Sequence, residues 1–449
     1  MSKDNSRAIS GCKEMLGKSF HNHHFFTANE AKVEMQKRRD LWKELEKSCS
    51  FIANNNKIHY GQLSPGCQAC TKGKWTCLFV GGKCPNNCFF CPLPQNEERP
   101  PNAEGIEFYN VQEFISYLKK AQITGVSFSG GESMLYLDIV KEYCTAVRKE
   151  FSSEMYIWCY TSGLGVTKDS LKVLSQAGVE ELRFNIAAFD YDLSKLVLAK
   201  KYIPKVTVEI PAIPEDLPKL KKLVKELELI GVDYLNLHEL HLSEFNEKEI
   251  AKRGYKLNRL ETGCTIHDSE MTILKLMEFA ANNNIKLPIN SCKFIYKSKI
   301  PCNAKNMRAA KLLGLESWEE LTETGLIRSI WMSIANKDFH LIDKMNISKD
   351  AFFDREQQLL FAKAKTILNI LDSNPILTPK LSIGYDAALI VRSEHNEKEF
   401  LADRAEFTDE IKLTVKDLRR IVEKKCTDFE NSDLLELEVT PNGFDDLII

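Results

Sequence analysis

The sequence predicts an α/β protein. A full or partial β/α barrel (TIM-like) is expected over residues 67–314, with an N-terminal helical extension at 1–66 and an α+β domain at 315–449. Three observations lead there. From Lys74 to about Asn290, short apolar runs alternate with helical periods, the pattern of a parallel sheet with right-handed crossovers. Six or seven such units suit a barrel better than a three-layer sandwich. Beyond residue 303 the alternation stops, and helical and strand-like periods mix without order.

In chain order, Met35, Trp42, Leu45 and Cys49 share one face of a helix among Lys37, Arg38, Arg39, Glu44 and Glu46. Around it, His21, His23 and His24 read as a solvated tail that could also bind metal. Strand-type runs follow at Trp75–Val80, Val126–Phe128, Met155–Tyr160, Leu182–Ile186, Val206–Ile210, Tyr234–Leu237 and Ile285–Ile289. Helical periods lie between them at Val111–Ala121, Tyr136–Phe151, Leu171–Ala177, Leu217–Ile230 and Thr272–Asn283. The helix after strand five has the cleanest face, with Leu220, Leu223, Val224, Leu227 and Ile230 inward and Lys219, Lys221, Lys222 and Lys225 outward. In the last third, Met307–Leu313, Arg355–Leu371 and Val415–Lys424 have helical periods, and Ala387–Val391 and Leu435–Val439 look like strands.

Composition narrows the function classes. With 61 Lys+Arg against 63 Asp+Glu the net charge is −2, so there is no global basic footprint and nucleic acid is not favoured as a partner. No apolar run reaches the ~18 residues of a membrane span, and the start lacks a signal-peptide core, so a cytoplasmic protein is expected. In a reducing compartment, 14 cysteines point to metal or redox chemistry rather than structural disulfides. Cys12, Cys49, Cys77, Cys144, Cys159, Cys264 and Cys426 fall in helical or strand patterns and read as core or surface thiols.

The strongest signal is Cys84-Pro-Asn-Asn-Cys88-Phe-Phe-Cys91, directly after the first strand. Its spacing can turn three thiolates to one side of a tight loop. A [4Fe–4S] cluster normally takes four, so three would leave one iron open to a small molecule. A structural zinc site or a pure redox cluster is the alternative. At the end of the second strand stands Ser129-Gly130-Gly131-Glu132, where two glycines admit a ligand close to the backbone and the acid can accept from an ammonium.

These two motifs, in this order and on these elements, resemble the radical S-adenosylmethionine (radical SAM) superfamily over about residues 74–290. A closer likeness is to an uncharacterised branch described as related to pyruvate formate-lyase activating enzymes. It is carried by Ser64-Pro-Gly-Cys67-Gln-Ala-Cys70, Val208–Pro214, Gly231–Leu240, Ser291-Cys292-Lys293-Phe294 and Thr322-Glu-Thr-Gly325. That description records kinship, not a substrate. The resemblance implies that Cys84, Cys88 and Cys91 hold a [4Fe–4S] cluster whose fourth iron is chelated by S-adenosylmethionine. It places Phe90 near the adenine, Gly130, Gly131 and Glu132 at the methionyl amino group, and Tyr160-Thr161-Ser162-Gly163 at the ribose. Arg183, Asn185 and Glu209 become candidates for the methionyl carboxylate or ribose. The reaction implied is reductive cleavage to a 5′-deoxyadenosyl radical that takes hydrogen from an undetermined substrate. A peptide or protein substrate is slightly favoured, and an electron donor of flavodoxin or ferredoxin type is needed. The alternatives are an iron–sulfur electron-transfer or sensor protein without cleavage, and a metal-stabilised scaffold.

Cys67-x2-Cys70 also has metal-ligand spacing, and Cys292 and Cys302 add thiols far along the chain. With Cys67, Cys70 and Cys292 favoured over Cys302, these could form a second iron–sulfur cluster or a zinc site. For them to meet, the segment 67–74 doubles back or strand seven lies outside the barrel. His238, Glu239 and His241, at the end of strand six, read as a proton relay, a substrate contact or a hydrogen-bonded rim.

Overall fold

The computed structural model describes residues 17, 23–260, 263–339, 349–394, 396, 399–425, 429, 434, 437–440, 442 and 443. His21, Cys12 and Cys426 lie outside them. The chain divides into two compact units, one of residues 1–301 with 441–449, the other of residues 302–440. This division differs from the expected boundaries at 66/67 and 314/315. The N-terminal strands share the barrel's sheet, so residues 1–66 form no separate domain, and the later division falls inside the helix Phe294–Leu313.

In the first unit seven strands run parallel in consecutive order: β1 (Trp75–Phe79), β2 (Gly125–Ser129), β3 (Tyr156–Thr161), β4 (Glu181–Phe184), β5 (Lys205–Pro211), β6 (Tyr234–His238) and β7 (Ile289–Cys292). The main crossover helices are α1 (Val111–Lys120), α2 (Leu137–Phe151), α3 (Lys168–Gln176), α4 (Ser194–Ala199), α5 (Leu217–Leu229) and α6 (His267–Asn282). On its free side β1 pairs with Asn102–Ala103, and β7 pairs antiparallel with Lys57–Tyr60, each the inner strand of a short hairpin. The strands therefore form a partial β/α barrel.

Local sequence explains the elements. Asn110 caps α1 by accepting from Glu113 N at 3.0 Å, and Thr167 opens α3 in a capping box with Ser170. On α5, Leu220, Leu223, Val224 and Leu227 are buried, each worth about 1.5–3 kcal/mol, whereas Ile230 is only half-buried. Strand seven was expected at Ile285–Ile289 but starts at Ile289. Pro288 has no N–H for the ladder and offers only its carbonyl, to Leu235 N at 2.9 Å. The short helix α4 lacks a full apolar period and carried no signal.

The N-terminal segment is better anchored than a solvated tail. Thr27 and Glu30 form a capping box for the helix Ala28–Leu45, and His23 Nε2 sits 2.8 Å from Glu247 Oε1. His24–Phe25 pairs in parallel with Lys256–Leu257. Trp42 and Leu45 are buried as expected, but so is Arg38, and Cys49 starts a strand rather than ending the helix. Arg38 holds Glu270 with Nε at 3.0 Å and Nη2 at 2.9 Å.

The second unit is a mainly antiparallel sheet in the order Ala351–Asp354, Leu359–Ala362, Leu326–Ser333, Leu381–Arg392, Phe400–Glu406, with helices Ala364–Ser373 and Val415–Glu423 against it. The expected helix Arg355–Leu371 is thus a strand over 359–362 and a helix only from Ala364. Residues 437 and 438, expected in a strand, are helical. Among the described residues no helix is long and apolar enough to cross a membrane.

Candidate active site

β1 and β2 continue past their ladders in close register. Val80 N donates to Ser129 O, Gly131 N to Gly81 O and Glu132 N to Lys83 O, at 2.8–3.0 Å. Gly82–Lys83 then pairs with Asn96–Glu97, and Cys84 N donates to Gln95 O at 2.8 Å, so the loop of residues 84–95 closes on itself. Two glycines are required at this contact. Gly130 has φ +129°, and a Cβ there would lie 2.2 Å from Gly81 O; one at Gly131 would lie 2.1 Å from Lys83 O.

The loop and the strand ends enclose a cavity of about 390 Å³, within the ordinary range of small-molecule sites. The expected residues Cys84, Cys88, Cys91, Phe90, Gly130, Gly131, Glu132, Ser162, Arg183, Asn185 and Glu209 all line it. Sequence reasoning missed Cys77, Gln95 and Lys297, which carry no motif. Phe90 meets Phe89 edge-on at 5.2 Å, and both pack on the apolar cluster of Ile213, Leu240, Leu242 and Ile266. Burial, with Cys91 and Cys84 adding, pushes the Cys88 thiol up to about 12 in the metal-free chain. Cys264, expected as a thiol, is buried and disulfide-bonded.

The lining groups divide into satisfied and available ones. Glu132 is buried, and its carboxylate accepts from Met134 N, Thr161 Oγ1 at 2.7 Å, and Ser162 N at 2.8 Å and Oγ. It therefore fastens the end of β3 to the glycine turn. Arg183 donates from Nε to Glu181 at 2.9 Å, from Nη1 to Glu209 at 2.9 Å and Tyr160 OH at 3.3 Å, and from Nη2 to Ser64 at 2.9 Å and Glu181 at 3.3 Å. All five N–H groups are spent, so the ligand carboxylate expected for Arg183 finds no donor there. Asn185 Oδ1 and Gln95 Oε1, by contrast, are buried without a hydrogen-bond partner among the described residues.

Glu209 accepts from Arg183, from Asn236 Nδ2 at 2.7 Å and from His238 Nε2 at 2.5 Å. Burial opposes its charge, but Arg183 and His238 outweigh that and hold its carboxyl well below the usual range. Burial and the Lys297 charge lower His238. A neutral ring fits both contacts: Nε2–H donates to Glu209, while Nδ1 accepts from Lys297 Nζ at 3.3 Å. His241 stacks on Phe294, and burial lowers it to about 3.

Glu239 is the opposite case. It accepts from Phe294 N at 2.7 Å, but burial and the charge of Glu270 push its carboxyl up to about 7. An acid raised from its ordinary 4.5 costs stability as pH climbs through that window, and the cost persists above it. Glu239→Gln is therefore expected to leave the thermal midpoint nearly unchanged at pH 4.5 and to raise it at pH 8. Equal shifts at both pH values would refute the assignment.

Among the described residues no three His, Cys, Asp or Glu side chains converge as a single bound ion requires. A cluster binds its thiolates through separate irons, so its ligands stand apart. The set of three thiols, the glycine cradle and the two orphaned oxygens suits a cluster with a small polar ligand beside it.

Comparison with known proteins agrees with this geometry. A family model described as the radical SAM superfamily matches residues 78–227. A curated protein of Methanocaldococcus jannaschii, provisionally named a glycyl-radical enzyme activating enzyme, is 32% identical over 293 residues, covering 62% of this chain and 76% of that protein. The chain belongs to the radical SAM superfamily. Among solved structures, this radical SAM enzyme is similar to Streptococcus suis SuiB bound to S-adenosylmethionine, with TM-score 0.35 and 12% identity, covering 65% of this chain and 61% of that one. It is also similar to Escherichia coli coproporphyrinogen III oxidase (HemN), described as a radical SAM enzyme, with TM-score 0.29 and 14% identity, covering 48% and 54%. It thus spans less than two thirds of either solved chain.

Proposed function

We propose that this radical SAM enzyme binds a [4Fe–4S] cluster through Cys84, Cys88 and Cys91, with S-adenosylmethionine in the adjoining cavity. The observation that carries this reading is the clamp of Gly130-Gly131-Glu132 onto the backbone of the cysteine loop, with both on one cavity wall. A sensor or electron carrier has no use for that clamp. When bound, the cluster and S-adenosylmethionine supply reductive cleavage and a 5′-deoxyadenosyl radical able to remove hydrogen from a substrate. The chain's own part is to orient and to exclude water: Phe90, backed by Phe89, walls the cavity, Asn185 Oδ1 takes a ligand donor, and Glu132 keeps the β3 end in place. Glu209 stays ionised, held by Arg183 and His238.

With Arg183 spent, Lys297 is the lysine or arginine left along the cavity to meet a carboxylate. Lys297→Met is expected to weaken S-adenosylmethionine binding about 10- to 100-fold, the loss of one charge-assisted hydrogen bond; equilibrium dialysis measures it. A peptide or protein substrate is favoured by the name of the archaeal relative, and a flavodoxin- or ferredoxin-type donor would supply the electron. The test is release of 5′-deoxyadenosine by anaerobically reconstituted protein with dithionite, beside Cys88→Ala. Release that vanishes in the variant supports the reading. No release from cluster-loaded protein supplied with reductant and candidate substrates leaves the electron-carrier reading standing instead.

A further inference from the structure

The other cysteine set has a place in the fold that its sequence position concealed. The helix Pro65–Thr71 doubles back into the amino mouth of the barrel, with Ala69 against Gly125 and Gly66 against Arg183 and Trp158. Cys67 Sγ thereby reaches Asn290 Nδ2 at 3.6 Å and Asn236 Oδ1 at 3.7 Å. Asn236 pairs with Asn290 across β6 and β7, and two residues further along the same face His238 pairs with Cys292. Cys292 is thus the next inward side chain above the one that Cys67 touches. Cys70, one helical turn beyond Cys67, lies 3.9 Å from Tyr296 OH.

A second feature points to a ligand. Lys57 is 1% exposed, and its ammonium sits over the Tyr296 ring at 4.1 Å. Among the described residues no carboxylate pairs with it. The antiparallel register, Ile289 with Tyr60 and Asn290 with His59, carried one pair further than Ser291 sets Lys57 beside Cys292. A buried ammonium needs a negative counterpart, and three neutral thiols supply none. A thiolate-ligated cluster does, because its net charge is negative. One donor, the Asn290 amide, already stands at a sulfur, as at cluster sites whose potentials such contacts tune.

We propose that Cys67, Cys70 and Cys292 bind a second iron–sulfur cluster inside the barrel wall beside β7, with Lys57 as its charge partner. This site does not depend on S-adenosylmethionine being cleaved at the first.

The experiment uses the full chain with Cys84, Cys88 and Cys91 all changed to alanine, reconstituted anaerobically with iron and sulfide. About two to four irons per chain, with matching acid-labile sulfide, should remain. Adding Cys67→Ser, Cys70→Ser and Cys292→Ser should remove them. Where that six-fold variant fails to fold, Lys57→Met in the three-alanine background serves instead: its cluster should be harder to reduce, read as a lower midpoint potential. Absence of iron from the three-alanine protein, zinc in its place, or iron that survives loss of the second cysteine set each overturns the proposal. Failure of deoxyadenosine release with iron retained at this second site would bear only on the first cluster.

Discussion

Replacing Arg183 by methionine is expected to destabilise the barrel unit by about 3–5 kcal/mol, the usual cost of removing one partner from a buried ion pair. Arg183 is 3% exposed, and Glu181 beside it is fully buried. Without the guanidinium, Glu181 keeps only the hydroxyls of Thr207 and Tyr156, and Glu209 keeps Asn236 and His238. At least one buried carboxylate then lacks a countercharge. The thermal midpoint should fall by roughly 5–8 °C. Arg183→Lys should recover part of this, since one ammonium cannot reach Glu181, Glu209, Tyr160 and Ser64 together. Lys252→Ala, which breaks an exposed ion pair with Glu249, is the control and should cost no more than about 1 kcal/mol. A loss as small as that control for Arg183→Met would show that the barrel interior does not depend on this charge belt.

Gly131→Ala should separate cluster binding from catalysis. Its Cβ would lie 2.1 Å from Lys83 O, which is backbone and cannot rotate away. Either the glycine turn or the start of the cysteine loop must shift by about 1 Å, and displacements of that size cost around 100-fold in rate when reacting groups are held in place. Deoxyadenosine formation should fall by about that factor while iron content stays near wild type. The cysteines keep their own loop closure through Cys84 N and Gln95 O. Equal losses of iron and activity would mean instead that the turn supports the cluster directly.

The legible parts of this protein are those whose chemistry repeats at short range. Six of the seven barrel strands, α5 and both cofactor motifs carry their signals within about a dozen residues. The seventh strand was misplaced because an apolar run around Pro288 looks like a strand, while the polar Asn290 and Ser291 in fact form one. Lys297 had no signal, since its importance comes from standing 3.3 Å from a histidine 59 positions earlier. Arg183 and Glu209 read correctly as barrel residues, but their partners decide their roles, and Ser64 lies 119 positions away. Arg38, an ordinary charge on a helix in sequence, is buried because Glu270 waits for it across another helix. In the second unit, a helical period over Arg355–Leu371 concealed a hairpin, because apolar residues around Leu359 suit either period.

The short ladder that closes the cysteine loop also has a consequence for the lifetime of the protein. The backbone of residues 84–95 is tied by a two-residue strand pair at its base, by Cys84 N on Gln95 O, by the turn from Cys91 N to Cys88 O and by Asn246 Nδ2 on Phe90 O at 3.2 Å. Its metal ligands would be its strongest internal restraint. If the loop holds a cluster as proposed, loss of that cluster should loosen this segment and the packing of Phe89 and Phe90 on the apolar cluster they cover. Limited proteolysis of oxidised protein is then expected to cut within residues 84–95 before the rest of the barrel.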